Sequence, residues 1–223
     1  MIDKRVASLA EAVADIKDGA VLLVSGFGPS GCPDNLLKAV LDQGARDLVL
    51  VTNNAGNDNG ETGIAALLAN GRVRKVVCSF PRSANSNTFQ ELYAQGKIEL
   101  ELVPQGTLSE RIRAAGAGIG GFYTPTAAGT DLGAGKEVRE IEGRPMVLEK
   151  PLPGDFALVR ASKGDRWGNL VYHSAGRNFG PTMAMAGGIT IAEVRETVAL
   201  GTLEPERIVT PGIFVDRVVE VRA

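Results

Sequence analysis

Short apolar runs alternate with amphipathic stretches through the first half of the chain. Val21–Val24 is apolar at every position, as a strand buried on both faces of a parallel sheet requires. Further strands are expected over residues 48–52, 73–79 and 98–103. The stretches between them carry helical spacing and predict helices over residues 33–43, 64–69 and 89–95, closed by Gly44, Gly71 and Gly96. Ser8 with Glu11 predicts a capping box for a helix to about Lys17, and Thr107 with Glu110 predicts another for a helix to about Ala115.

The second half is patterned differently. Residues 116–135 are mostly Gly, Ala, Thr and Pro without a period, a length of loop that usually serves function or a partner. Residues 137–141 and 146–149, joined by Glu142-Gly143-Arg144, read as a hairpin. A buried strand is expected over 156–161, a turn over 163–169 leading into a strand over 170–172, and later strands over 189–198 and 212–221. The whole predicts an α/β fold: a mostly parallel open sheet flanked by helices, with a β-rich C-terminal part. No repeat, charge block or low-complexity linker divides the chain, so residues 1–223 are expected to form a single domain.

In open parallel sheets ligands bind beyond the carboxyl ends of the strands. Four polar segments fall there: Ser25 to Gly31, Asn53 with Asn54, Arg82, and Gln105. The first comprises Ser25, Gly26, Phe27, Gly28, Pro29, Ser30 and Gly31, between a strand and a helix start at Pro33. That context presents backbone N–H groups to an anion, normally a phosphate; a tight turn with no ligand is the other reading. The same loop satisfies G-x-G-x-x-G, but no Asp or Glu ends the next strand and Pro29 interrupts the loop, which weighs against a dinucleotide.

Composition narrows the chemistry. The chain is 44% hydrophobic over 223 residues, enough for a core, and its net charge of −2 gives no steering field for nucleic acid or anionic membrane. Two cysteines, Cys32 and Cys78, fit a reduced compartment. The start MIDKRVASL lacks an apolar signal region and no apolar run is long enough to span a bilayer, so a cytoplasmic location is expected. No Cys/His cluster has metal spacing, and no metal is expected. The one histidine, His173, and Cys32 read as structural residues, and neither a G-x-S-x-G elbow nor a P-loop occurs. The residues describe a binding scaffold without a reactive group.

Several motifs together resemble the A subunits of family I coenzyme A transferases. They are Asp18-Gly19, Leu22-Leu23-Val24, Gly26-Phe27, Gly31 and Pro33; Asn53-Asn54-Ala55-Gly56; Pro104-Gln105-Gly106-Thr107-Leu108 with Glu110-Arg111-Ile112-Arg113; and Gly120-Gly121-Phe122-Tyr123-Thr124-Pro125-Thr126. Cys78-Ser79-Phe80-Pro81-Arg82, Lys163-Gly164-Asp165-Arg166-Trp167-Gly168-Asn169-Leu170, Arg177-Asn178-Phe179-Gly180-Pro181 and Thr210-Pro211-Gly212-Ile213-Phe214-Val215 resemble the branch of that family acting on 3-oxoadipate.

The resemblance implies a polypeptide that helps move CoA from succinyl-CoA to a 3-oxoacid, 3-oxoadipate or alternatively acetoacetate, with the CoA thioester as substrate and no permanent cofactor. It implies that the attacking glutamate stands on a partner B subunit, in an A2B2 hetero-oligomer or similar assembly. It assigns Gln105 to an oxyanion hole, Asn53 and Asn54 to the substrate pocket, and Ser25 to Gly31 to CoA. Arg82 is this reading's own addition, as a clamp for the second carboxylate of a dicarboxylic acceptor. Three positions depart from the family pattern: Ser25 where Gly is usual, Ala127-Ala128-Gly129-Thr130 where a tyrosine is frequent, and His173-Ser174 where relatives are more basic. A sugar-phosphate isomerase of the same broad fold would need its own acid/base group, and none stands out; a nucleotide-binding dehydrogenase lacks its acidic residue; a non-catalytic CoA-binding module is separated only by co-expression with a partner.

Overall fold

In the computed structural model, which describes residues 2–56, 63–82 and 86–221, the first half of the chain is a strand–helix repeat. α1 (Leu9–Val13) leads into β1 (Val21–Val24), α2 (Asp34–Gln43), β2 (Leu48–Asn54), α3 (Gly63–Ala69), β3 (Val73–Phe80), α4 (Thr88–Ala94), β4 (Glu99–Leu102) and α5 (Gln105–Gly116). Then come β5 (Phe122–Thr124), β6 (Val138–Ile141), β7 (Arg144–Glu149), β8 (Gly154–Asp165), β9 (Leu170–Val171), α6 (Gly180–Ala186), β10 (Gly187–Val198) and β11 (Arg217–Glu220). Among the described residues no helix is long and apolar enough to cross a membrane.

The strands form one sheet in the order β11-β10-β8-β1-β2-β3-β4, and every neighbouring pair in that order is parallel. The β-rich C-terminal part therefore divides in two. β8, β10 and β11 extend the sheet of the first half, while β5, β7 and β6 make a separate antiparallel sheet. The chain builds outward from β1 through β2 to β4, then returns to β1's other side with β8. This reversal between β1 and β8 is the topological switch point, where a crevice opens beyond the carboxyl ends of the strands.

Alternate residues of each strand feed opposite faces of the sheet. Leu22, Val24, Leu50 and Leu158 pack beneath α1, α2 and α3, with Leu36, Leu37, Val40 and Leu67 above them. Leu23, Val51, Ala157 and Val159 pack beneath α5 and α6, against Leu108, Ile112 and Met183. Burying each such Leu, Ile, Val or Met side chain contributes about 1.5–3 kcal/mol, so the two layers fix where β1 ends.

Several element boundaries differ from expectation, each for a local reason. Ser8 does cap α1, accepting from the Glu11 N–H at 3.1 Å while Glu11 reaches back to the Ala7 N–H, but the helix ends at Val13, short of Lys17. The Thr107–Glu110 capping box does not form. α5 starts two residues earlier at Gln105, with Pro104 as its N-cap; Thr107 is buried inside it and Glu110 pairs with Arg113. The hairpin is tighter than expected, because Glu142 and Gly143 both take left-handed φ (51° and 73°), as a two-residue type I′ turn needs, and Arg144 already belongs to β7. The predicted turn over 163–169 begins later, since β8 runs through Asp165. Residues 212–214 are a 3-10 turn, so the last strand begins only at Arg217. α6 has no counterpart in the sequence analysis; its Pro181 is well placed in a first helical turn.

Candidate active site

The glycine loop leaves β1 at the switch point and folds onto itself. The Phe27 N–H donates to the Ser30 carbonyl at 3.0 Å, and the Ser30 N–H donates back to the Phe27 carbonyl at 3.2 Å. Ser25, 1% exposed, closes the base of the loop: its hydroxyl donates to the Gly31 carbonyl at 2.8 Å and accepts from the Arg160 N–H at 3.3 Å. Gly31 has φ +76°, and a Cβ there would stand 2.4 Å from the Gly176 carbonyl oxygen, so only glycine allows this approach. Asn178 pins the loop from outside. Its Oδ1 accepts from the Gly26 N–H at 3.0 Å, and its Nδ2 donates to the Ser30 carbonyl at 2.8 Å.

These bonds fill much of the expected phosphate cradle from within. The N–H groups of Gly26, Phe27 and Ser30 already have acceptors in the protein. The N-terminus of α2 is also occupied. Its N-cap, Pro33, offers no side-chain acceptor. Glu193 of β10, 0% exposed, supplies one from 157 residues away, accepting from the Leu36 N–H at 3.0 Å and from Asn35 Nδ2 at 3.2 Å. Burial pushes the Glu193 carboxyl above its ordinary range, while the Leu36 N–H, Asn35 and Arg160, with Nε 3.6 Å away, pull it back.

Around this loop the carboxyl ends of β1, β2 and β4 bring three of the four expected segments to cavities. One cavity, of about 120 Å³, is lined by Ser25, Gly26, Gly28, Pro29, Thr52 and Asn54 among others. A second, of about 450 Å³, lies on the other side of the loop and is lined by Phe27, Gln105, Gly106, Ser109, Asn178 and Phe179. Ser30 and Gly31 line a third, towards β8. The adjacent asparagines separate, because β2 extends through both of them and consecutive side chains point to opposite faces. Asn54 faces the first cavity, whereas the buried Asn53 holds Ser79, whose hydroxyl lies 2.9 Å from its Oδ1, and lines none of the three. Arg82 is exposed beyond β3 and lines none of them either.

Gln105 occupies the first position of α5 and is exposed at the second cavity. Among the described residues its carboxamide and the N–H groups of Gln105, Gly106 and Thr107 have no hydrogen-bond partner, and the Pro104 N-cap supplies no side-chain acceptor. Unlike α2, α5 presents an open positive terminus, with a neutral amide donor in front of it. Such donors stabilise a carbonyl oxygen that gains charge. Among the described residues the lining of this cavity includes no carboxylate, imidazole or thiol. Cys78 is no candidate, since burial pushes its thiol up to about 12.

Two residues that shape the site carry no role in the sequence reading. Asn178 belongs to the motif Arg177-Asn178-Phe179-Gly180-Pro181, but its partner Gly26 lies 152 residues away. The signal for Glu193 is a lone acid inside an apolar strand, Ile189-Thr190-Ile191-Ala192-Glu193-Val194.

Comparison with known proteins places this arrangement. A family model described as coenzyme A transferase matches residues 6–221. The chain is 60% identical over 221 residues to the A subunit of 3-oxoadipate CoA-transferase from Pseudomonas putida, covering 99% of this chain and 95% of that one. It is 47% identical to the A subunit of a probable succinyl-CoA:3-ketoacid coenzyme A transferase from Bacillus subtilis strain 168, covering 97% of this chain and 89% of that one. The crystal structure of the acyl-CoA transferase YdiF from Escherichia coli O157:H7 superposes with a TM-score of 0.82 at 25% identity, covering 98% of this chain and 47% of that one, so this chain spans about half of that structure's length. The chain belongs to the coenzyme A transferase family.

Proposed function

We propose that this chain is the A subunit of a transferase that moves CoA from succinyl-CoA to a 3-oxoacid, 3-oxoadipate first, working in the cytoplasm as one domain beside a B subunit. The observation that carries the reading is the cavity at Gln105: oriented donors for a carbonyl oxygen, and no carboxylate among its described lining residues. A partner glutamate would attack the thioester and expel the CoA thiolate, leaving an acyl anhydride. The thiolate would then take the glutamyl carbonyl and release succinate, leaving an enzyme–CoA thioester for the acceptor acid. In each attack negative charge grows on a carbonyl oxygen, the charge that the Gln105 amide and the α5 terminus are set to meet. The acceptor is argued from the 60% identity to the Pseudomonas putida protein; acetoacetate is the second reading, since the Bacillus subtilis relative is named for a 3-ketoacid. The half of the Escherichia coli structure that this chain leaves unmatched supports a partner chain.

The test is reconstitution. This chain, its partner and their mixture are each assayed with succinyl-CoA and 3-oxoadipate. Only the mixture is expected to transfer CoA, with a higher kcat/KM for 3-oxoadipate than for acetoacetate; transfer by this chain alone would refute the reading. Arg82, outside the cavities and exposed at the carboxyl end of β3, is offered as the clamp for the distal carboxylate. One charge-assisted bond contributes about 1.5–3 kcal/mol, so Arg82→Ala is expected to lower kcat/KM for 3-oxoadipate roughly ten- to a hundredfold and to leave acetoacetate nearly unchanged. Equal losses on the two acids would remove Arg82 from this role.

A further inference from the structure

We propose that the cavity beyond β8 and β10 takes the phosphate-bearing end of the CoA thioester, with Arg195 as its main anchor; this rests on the transferase reading above. The cavity holds about 330 Å³, and its wall includes Ser30, Arg160, Ser162, His173, Ser174 and Arg195, with no carboxylate among the described lining residues. That volume suits a ligand-sized group, more than a single carboxylate needs.

Strand geometry builds the wall. Ile191, Glu193 and Arg195 share one face of β10, and Arg160 on β8 stands opposite Glu193. Glu193 lies behind the cavity and offsets the charge of Arg160, whose Nη1 also approaches Asp34 at 3.8 Å. Arg195 is exposed and makes no ion pair with any described residue, so it supplies the net positive charge. Guanidinium groups bind phosphate oxygens through paired N–H donors.

One further observation favours phosphate over the acyl carboxylate. The loop N–H groups of Gly26, Phe27 and Ser30 are engaged within the protein, so the phosphates need another site. The two cavities flank the same loop, since Ser30 and Gly31 line one and Phe27 with Asn178 line the other, so a single extended ligand can reach both.

The reconstituted complex provides the test. Arg195→Ala is expected to raise KM for succinyl-CoA about tenfold, while KM for the succinyl thioester of N-acetylcysteamine, which has no phosphates, moves less than about twofold. Arg195→Lys should restore part of the loss. Equal losses on the two thioesters, or a loss confined to the acceptor acid, would overturn the assignment. A calorimetric titration reads the site without turnover. CoA is expected to bind the variant complex about tenfold more weakly than wild type, and pantetheine equally to both. An unchanged CoA affinity would overturn the proposal even if transfer activity stands, and a wild-type complex that binds CoA through Arg195 but transfers nothing would refute the transferase reading alone.

Discussion

Glu193→Ala lowers the unfolding free energy of the chain by about 3–5 kcal/mol, the usual range for removing one partner of a buried charged pair. The carboxylate is fully buried, accepts from the first turn of α2 at the Leu36 N–H, and lies 3.6 Å from Arg160 Nε. Its loss strands a helix terminus that Pro33 cannot cap and leaves Arg160 without its partner across the sheet. Glu193→Gln keeps an acceptor for Leu36 and should cost less than about 2 kcal/mol. The pH dependence separates the two effects. Burial raises the folded-state pKa of Glu193 above its ordinary 4.5, so the folded chain holds that proton more tightly than the unfolded one. The resulting stabilisation is fully present below pH 4.5 and is lost as pH rises through the folded value; Glu193→Gln should remove this component. Urea midpoints measured across that range decide it. Equal costs for Ala and Gln would mean that the helix terminus needs no acceptor.

Gln105→Ala in the reconstituted complex lowers kcat about a hundred- to a thousandfold, corresponding to about 2.7–4 kcal/mol for one oxyanion donor, with little change in KM for succinyl-CoA. The geometry behind this is a carboxamide at the first position of α5, at a cavity with no carboxylate among its described lining residues. Gln105→Glu should fall at least as far, because it places an acceptor and a negative charge where a donor is needed. A rise in KM at unchanged kcat would instead make Gln105 a residue for ground-state binding.

The central strand was legible in sequence to the residue, because Val21–Val24 is a continuous apolar run bounded by polar and glycine positions. The four post-strand segments were legible for the same reason: once the strands are placed, their carboxyl ends follow. The faces were not. Asn53 and Asn54 read as loop because asparagine favours turns, yet β2 carries both, and its two-residue period sends one to Ser79 and the other to the cavity. The state of the glycine loop was equally hidden. A free N–H and one already bonded to Asn178, 152 residues away, look alike in sequence. The same holds for the α2 terminus, whose acceptor comes from β10. Local pattern specifies which groups reach the switch point, and long-range hydrogen bonds decide which of them remain open to a ligand.

The division of labour between two chains is tested most directly by locating the covalent intermediate. The complex is incubated with succinyl-CoA, reduced with borohydride and mapped by mass. The account predicts a modified glutamate on the partner chain, and none on this one. A modified carboxylate anywhere in residues 1–223 would contradict it.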